Sequence, residues 1–537
     1  EAVRLALLTG YLGGAARKSA GLPVSFRALL DASPKVAMDE AKTSEDRVVA
    51  VRLMACLPWE QTGETLLRLA LDEASTDLAA AALVVAAPLV AQRAPVGPAT
   101  RSYVTVDTNV LALTNVRVID GTGAAAREGQ TIIVRDGRIA AVGGVGSIAI
   151  PSGAQVMDLA GKSVIPGLVM VHEHLYYPVG AGTYGNLTES FSRLYLAGGV
   201  TSMRTGGNMN GFAELLIAKA IARGEKPGPW IDATAPYLEG PGMGFNQVTI
   251  LRDSSDARKL VEYWADQGAT SFKAYMNITR DELKAAADAA HKRGLKITGH
   301  LCSVTYREAA DAGIDDLEHG FFAMNDFVPG KKLDTCSGRG GAAQSMLAQA
   351  DPESAEVQAL FRYLIDKKIA VTSTLTIFET FTPGRPMPPG TDVLIEPLRE
   401  QFAQRYASTQ RNTQSVYAKA FPKGMAMELA FAKAGGTLIV GTDPTGGGGV
   451  IAGYSNQRAL ELLVEAGFSP LEAIRMGTLN GATYLGRGAL TGSIAVGKLA
   501  DLVIIDGNPA ASIGDIRKVQ LVFRQGVGYD PAALIES

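Results

Sequence analysis

Cysteine is scarce in this chain: Cys56, Cys302 and Cys336 are the three in 537 residues, far apart and in no CxxC or finger spacing. So odd and sparse a set excludes a disulfide framework and leaves the redox compartment open. Charge imbalance is absent as well. A formal net charge of -3 gives no reason to expect nucleic acid, an anionic membrane or a charged polymer as partner. Long apolar runs are missing: the longest, Leu78–Ala91, is interrupted by Pro88 and too short for a membrane span. The chain starts at Glu1 rather than Met, so a signal peptide removed earlier is compatible with it. Cytoplasmic and periplasmic or secreted locations both stay open. No GxGxxG opens a helix, and the glycine run Gly446–Gly449 lacks the Lys-Ser/Thr of a P-loop, so it reads as a flexible active-site loop.

What is present divides into three textures. Residues 1–98 are Ala/Leu-rich and read as helical. Asp46–Pro58 and Thr76–Pro88 each begin with an acidic cap and end at a proline, 30 residues apart, a spacing shared with HEAT-like helical repeats. A plain helical extension fits equally well. Arg93–Arg101 has the Pro/Gly composition of a linker. Residues 104–164 and 486–529 carry β-branched runs broken by Gly and Asp-Gly turns, such as QTIIVRDGRIAAVG and ADLVIIDGNP. They are expected to pair into one composite β-sheet domain, sandwich-like, bracketing the middle of the chain.

That middle, 165–485, alternates eight short apolar strands with helical patterns: VIPGLVMVH, GGVTSMRTG, WIDATA, ATSFKAY, LKITGH, DDLEHG, IAVTSTL and GTLIVGTD. Helices such as Asp253–Gln267, Arg280–Arg293 and Gln457–Glu465 fall between them. The expectation is an α/β chain whose central part is a (β/α)8 TIM barrel.

Four of the five histidines sit at or near the carboxyl end of an expected strand, where the catalytic face of such a barrel lies. His172 and His174 have the i, i+2 spacing that puts both imidazoles on one side of a strand, with Glu173 pointing away. His300 ends ITGH, His319 ends DDLEH and Asp443 ends LIVGTD. Each alone reads as a core or cap residue. Together, one strand end after another, they read as ligands of divalent metal. Lys273, in the apolar strand SFKAY, is costly there as a bare ammonium. It snorkels to the rim, pairs with an acid, or is carboxylated on its side-chain nitrogen and ligates metal. The fifth histidine, His291, falls near the end of an amphipathic helix and suits the helix dipole.

VIPGLVMVHEHL, KITGHLCSVTYREAADAGIDDLEHG, GTDPTGGGG and GSIAVGKLADLVIIDGNP together resemble the motifs of the amidohydrolase superfamily, from about Val110 to Tyr529. The pattern is most similar to the branch with imidazolonepropionases and Xaa-Pro dipeptidases. The resemblance implies two divalent ions, zinc first among the candidates. His172, His174 and Asp443 would hold one, His300 and His319 the other, with carboxylated Lys273 as bridge. It further implies a metal-bridging hydroxide as nucleophile, Asp443 as general acid/base, and an amide or peptide-like C–N bond in a small molecule as target. Lys273 favours the two-metal branch over the one-metal deaminases. Lactone opening or heterocycle deamination on the same scaffold, and an inactive barrel serving as a binding or scaffold protein, are the alternatives.

Two departures from the dipeptidase pattern touch specificity: MetArgThr at Met203–Thr205 replaces Arg-Asp, and Ala452–Gly453 stands where a His-Gly pair is frequent. Arg204, Tyr275 and Tyr454 are candidate substrate contacts, Arg204 and Tyr275 for a carboxylate. A homo-oligomer is compatible with such a barrel.

Overall fold

Two-residue turns that need positive φ set up the first sheet. Asp136 and Gly137 (φ 49° and 76°) connect β3 (Arg127–Arg135) to β4 (Arg138–Gly144), and Gln525 and Gly526 (φ 49° and 75°) turn the last hairpin. Two positive values in succession match the right-handed twist of a tight hairpin, which is why Asp-Gly serves there. The computed structural model describes residues 94–180, 182–242, 247–336 and 341–536. The expected HEAT-like helices at 1–93 therefore lie outside the described residues, as does Cys56.

β1 (Val104–Val106), β2 (Val110–Val118), β5 (Gln155–Asp158) and β6 (Ser163–Pro166) share that sheet. Its path runs β1, the last hairpin, a returning carboxyl-terminal strand, then β6, β2, β3 and β4, with β5 against β2. The returning strand, Leu502–Ile505, pairs antiparallel with β6, Leu502 opposite Pro166 and Ile505 opposite Ser163. Leu111, Val118, Ile132, Val164, Leu502 and Phe523 are buried together in this sheet's own core. Segments on both sides of the barrel region thus form one sheet, stitched by hydrogen bonds.

Only Gly167 separates β6 from the first strand of the central region, β7 (Leu168–Glu173). There follow β8 (Val200–Thr205), β9 (Trp230–Asp232), β10 (Ser271–Ala274), β11 (Lys296–Gly299), β12 (Asp316–Glu318), β13 (Ala370–Ser373) and β14 (Leu438–Val440). These eight run parallel in chain order: β7 to β9 in one sheet, β10 to β14 in another, joined by a bridge between Thr234 and Ser271. The backbone N–H groups of Thr442 and Asp443, just after β14, donate to the carbonyl of His172 in β7, 3.1 Å each. Nearly all strand residues are buried on both faces, as parallel strands covered by helices require.

The three helices named from sequence pattern are present with small shifts: Ser254–Gln267 capped by the Asp253 carboxylate, Arg280–Lys292 opened by a Thr279/Glu282 capping box, and Tyr454–Glu465. His291 lies in the last turn of its helix, 3.1 Å from Asp315. Among the described residues no helix is long and apolar enough to cross a membrane.

Candidate metal centre

The carboxyl ends of these strands bring the six expected ligands to one place. His172 is the last residue but one of β7 with His174 just beyond the strand, Lys273 lies in β10, His300 and His319 follow β11 and β12, and Asp443 follows β14. All six line a single cavity of about 380 Å³. Asp443 is the meeting point: its Oδ1 lies 3.2 Å from His174 Nε2 and 3.7 Å from His172 Nε2, and its Oδ2 lies 3.7 Å from His319 Nδ1. The His300 and His319 rings are 4.2 Å apart, centroid to centroid, and those of His172 and His319 are 4.7 Å apart. One ligand atom each from His172, His319 and Asp443 fall within 4.8 Å of one another.

The backbone is specialised to achieve this. His319 and Asp443 hold φ of 72° and 59°, a region that costs a non-glycine residue about 1–3 kcal/mol and persists where surroundings impose it. A side chain on Gly441 or Gly206 would come within 2.4 Å of His172. Glycine is what allows both loops to close on that imidazole. Second contacts orient the rings: His174 Nδ1 faces the Gly207 carbonyl at 3.2 Å, and His319 Nδ1 faces the Thr374 hydroxyl at 2.9 Å.

Burial decides the protonation states. It pushes all four imidazoles below their ordinary pKa, His300 to about 3, with the Lys273 charge adding to the effect on His172, His174 and His300, and the neighbouring His300 and His172 on His319. Neutral imidazole is the ligating form. Burial opposes ionisation of Asp443, but hydrogen bonding to His172 and His174 outweighs it and holds the carboxyl well below its usual range. Nδ1 of His172 is buried and faces Glu318 Oε2 at 3.4 Å without a hydrogen bond. Imidazoles held below their ordinary pKa, around a carboxylate held below its own, form a donor set that fits a divalent cation.

The other expected contacts separate. Tyr275 lines the cavity, edge-on to His300 at 5.1 Å. Arg204 does not: its guanidinium is buried among the strands, donating to Ser271, Thr298, Glu318 and the carbonyls of Val171 and Phe272. Tyr454 is outside the cavity lining too, packed against Gly390. Gly446 lines the cavity, and the N–H of Gly449 donates to the Tyr177 hydroxyl at 2.8 Å. Glu173 points away from its neighbours' site and is held by Thr442 and Asn456.

Two features escaped the sequence reading. Glu318, beside His319, has one oxygen against the Lys273 amine and accepts from Arg204 and Thr298 on the other, so an acid stands next to Lys273 at the cavity floor. And the cysteines do form a bridge, contrary to expectation: Cys302, on the cavity wall, is disulfide-bonded to Cys336, Cα atoms 4.9 Å apart. A parity argument on three cysteines cannot see that loop closure brings two of them together across 34 residues.

Residues 163–527 match the model of the Amidohydrolase family. The chain belongs to this family of metal-dependent hydrolases. Among curated proteins, this amidohydrolase is similar to the enamidase of Eubacterium barkeri, 24% identical over 401 residues, 72% of this chain and 84% of the enamidase. It also resembles the D-hydantoinase of Streptomyces coelicolor, 30% identical over 151 residues, but that match spans only 27% of this chain and 29% of the hydantoinase. Among solved structures, a putative prolidase from Bifidobacterium longum is 25% identical at a TM-score of 0.59, covering 78% of this chain and 94% of the prolidase. A Xaa-Pro dipeptidase with bound methionine shares the fold at 20% identity and a TM-score of 0.58, over 78% of this chain and all (100%) of the dipeptidase.

Proposed function

We propose that the chain is a binuclear metal-dependent hydrolase of an amide or peptide-like C–N bond in a small molecule, of the dipeptidase or N-acyl amino acid hydrolase type, built in a closed (β/α)8 barrel. One observation carries the reading: a buried Asp443 whose carboxylate lies 3.2–3.7 Å from three imidazoles, with His300 and Lys273 on the same cavity. His172, His174 and Asp443 would hold one ion, His300 and His319 the other, and Lys273, carboxylated on Nζ, would bridge them. An imidazole-rich set suits zinc. Bound ions of this kind supply Lewis acidity towards a carbonyl oxygen and lower the pKa of water.

Asp443 would carry the proton transfers. Its carboxylate would accept the proton of attacking water and return it to the leaving nitrogen. The Thr445 hydroxyl, 2.7 Å from Asp443 Oδ1, fixes the carboxylate orientation. Burial of the cavity floor excludes bulk water and strengthens each of these interactions. The enamidase and D-hydantoinase likenesses support a C–N bond as target, and the prolidase likeness supports a peptide-like one.

Metal analysis and a substrate panel test the reading. Purified protein is expected to hold about two ions per chain and to hydrolyse N-acyl amino acids or Xaa-Pro dipeptides in preference to lactones, with loss of turnover in chelator. Less than one ion per chain with no turnover of any panel member would instead support a scaffold protein.

A further inference from the structure

Beyond the ligands, the cavity has two unlike sides. Phe378 stands edge-on to the His319 ring, centroids 5.9 Å apart at 89°, and Phe322 lies flat on Phe378 at 3.8 Å and 7°. Tyr417 and Phe381 extend this surface outward, Tyr417 lying 6.1 Å from Phe378 and 5.4 Å from Phe381. Ile377 and Val416 complete it. The side against His300 is phenolic: Tyr275, Tyr237 and Tyr184 line it, and the Tyr237 hydroxyl is spent on the Tyr176 hydroxyl at 2.5 Å.

We propose that the substrate carries an aromatic group beside its scissile bond, seated against Phe378, Phe381 and Tyr417. This deepens the hydrolase reading above and rests on it. Water along an apolar wall cannot complete its hydrogen bonds, so displacing it with apolar surface is favourable, and a flat ring gains edge-to-face contacts besides. The wall starts in contact with a ligand imidazole, so a group bound there is next to the bond being cut. The ligand set and Asp443 need none of these residues, and a cavity of about 380 Å³ has room for such a group on one flank of the bond. Phe381 and Tyr417 are only partly buried, so trimming them leaves the fold standing.

Two measurements on metal-loaded protein test this. Calorimetry compares 3-phenylpropionate with propionate, which share a carboxylate and contain no bond to hydrolyse, so the difference reports the ring alone. The phenyl compound is expected to bind about tenfold more tightly, and Phe381→Ala and Tyr417→Ala each to remove a severalfold part of that difference. Equal affinities, or a preference untouched by both substitutions, would overturn the proposal. Kinetics then compare kcat/KM for N-acetyl-phenylalanine and N-acetyl-alanine, and for N-benzoyl-alanine and N-acetyl-alanine. An aromatic preference of at least about tenfold in one pair is expected. Turnover of all with no such preference overturns the aromatic pocket and leaves the hydrolase reading intact. No turnover of these or of the Xaa-Pro dipeptides overturns the hydrolase reading, while the calorimetry still decides the pocket.

Discussion

Arg204 donates to Oε1 of Glu318 across 3.2 Å, and neither side chain reaches solvent. Its other bonds go to β7, β10 and β11, so one guanidinium ties together most of the strands that carry the candidate ligands. Removing one partner of a buried pair leaves an uncompensated charge and costs about 3–5 kcal/mol. Arg204→Met is therefore expected to lower the unfolding free energy by that amount. Arg204→Lys should recover little of it, since an ammonium cannot reproduce the planar fork of donors. Urea unfolding followed by circular dichroism checks both, and a Met variant within about 1 kcal/mol of the parent would exclude this role.

His300 gives a pH prediction for metal-free protein. Burial lowers its folded pKa to about 3, against an ordinary value near 6.5 in the unfolded chain. Between those values the unfolded chain binds the extra proton, so the stability contributed by a neutral buried His300 is present above about pH 6.5 and declines as pH falls. Burial pushes Glu173, Glu214 and Glu428 the other way, to about 8, and their contribution falls as pH rises. The total slope mixes both kinds, so the difference between parent and His300→Gln isolates the histidine. The parent should lose up to about 1.4 kcal/mol per pH unit relative to that variant below pH 6.5. A gap that stays constant from pH 7 to pH 5 in urea titrations of chelator-treated protein would show that His300 is not held neutral.

The Cys302–Cys336 bridge closes a loop spanning 34 residues that also carries the His319 strand end. On the chain-entropy model a loop of this size contributes about 3–4 kcal/mol. Cys336→Ser is expected to lower the melting temperature by several degrees, and reductant should lower the parent but not the variant. Mass spectrometry after alkylation without reductant should find Cys302 and Cys336 unlabelled. Full labelling of both would remove the bridge from the account.

These tests fall on features unequally visible in the sequence. The eight strand segments were readable because buried parallel strands are short apolar runs with turn residues at each end. The candidate ligands could be grouped from the sequence because the carboxyl ends of parallel strands lie on one side, so a scatter of His and Asp over the chain becomes a cluster. Arg204 was misleading: sequence shows which residue type occupies a strand but not whether its side chain rises to the cavity or stays between strands. Glu318 reads as an ordinary acid before a histidine until Lys273 and Arg204 are seen to close on it. The aromatic wall draws Phe322, Phe378, Phe381 and Tyr417 from three separate segments, with no spacing to announce it.

Lys273 tests the bridge directly. It is 1% exposed, and burial first, with the Arg204 charge next, holds its amine well below the ordinary pKa of 10.5. An amine that readily loses its proton is a nucleophile for carbon dioxide, and the carbamate so formed is anionic where a bare ammonium would repel cations. Protein prepared in ¹³C-bicarbonate with metal is expected to show one carbamate carbonyl resonance, absent from Lys273→Ala. That variant should retain at most about one ion per chain, and added propionate, whose carboxylate can enter the vacated space, should restore part of the second. If Lys273 serves only as the ion partner of Glu318, the substitution will cost stability while metal content stays near two and no carbamate signal is seen. The spectrum and the metal count together separate a ligand from a strut.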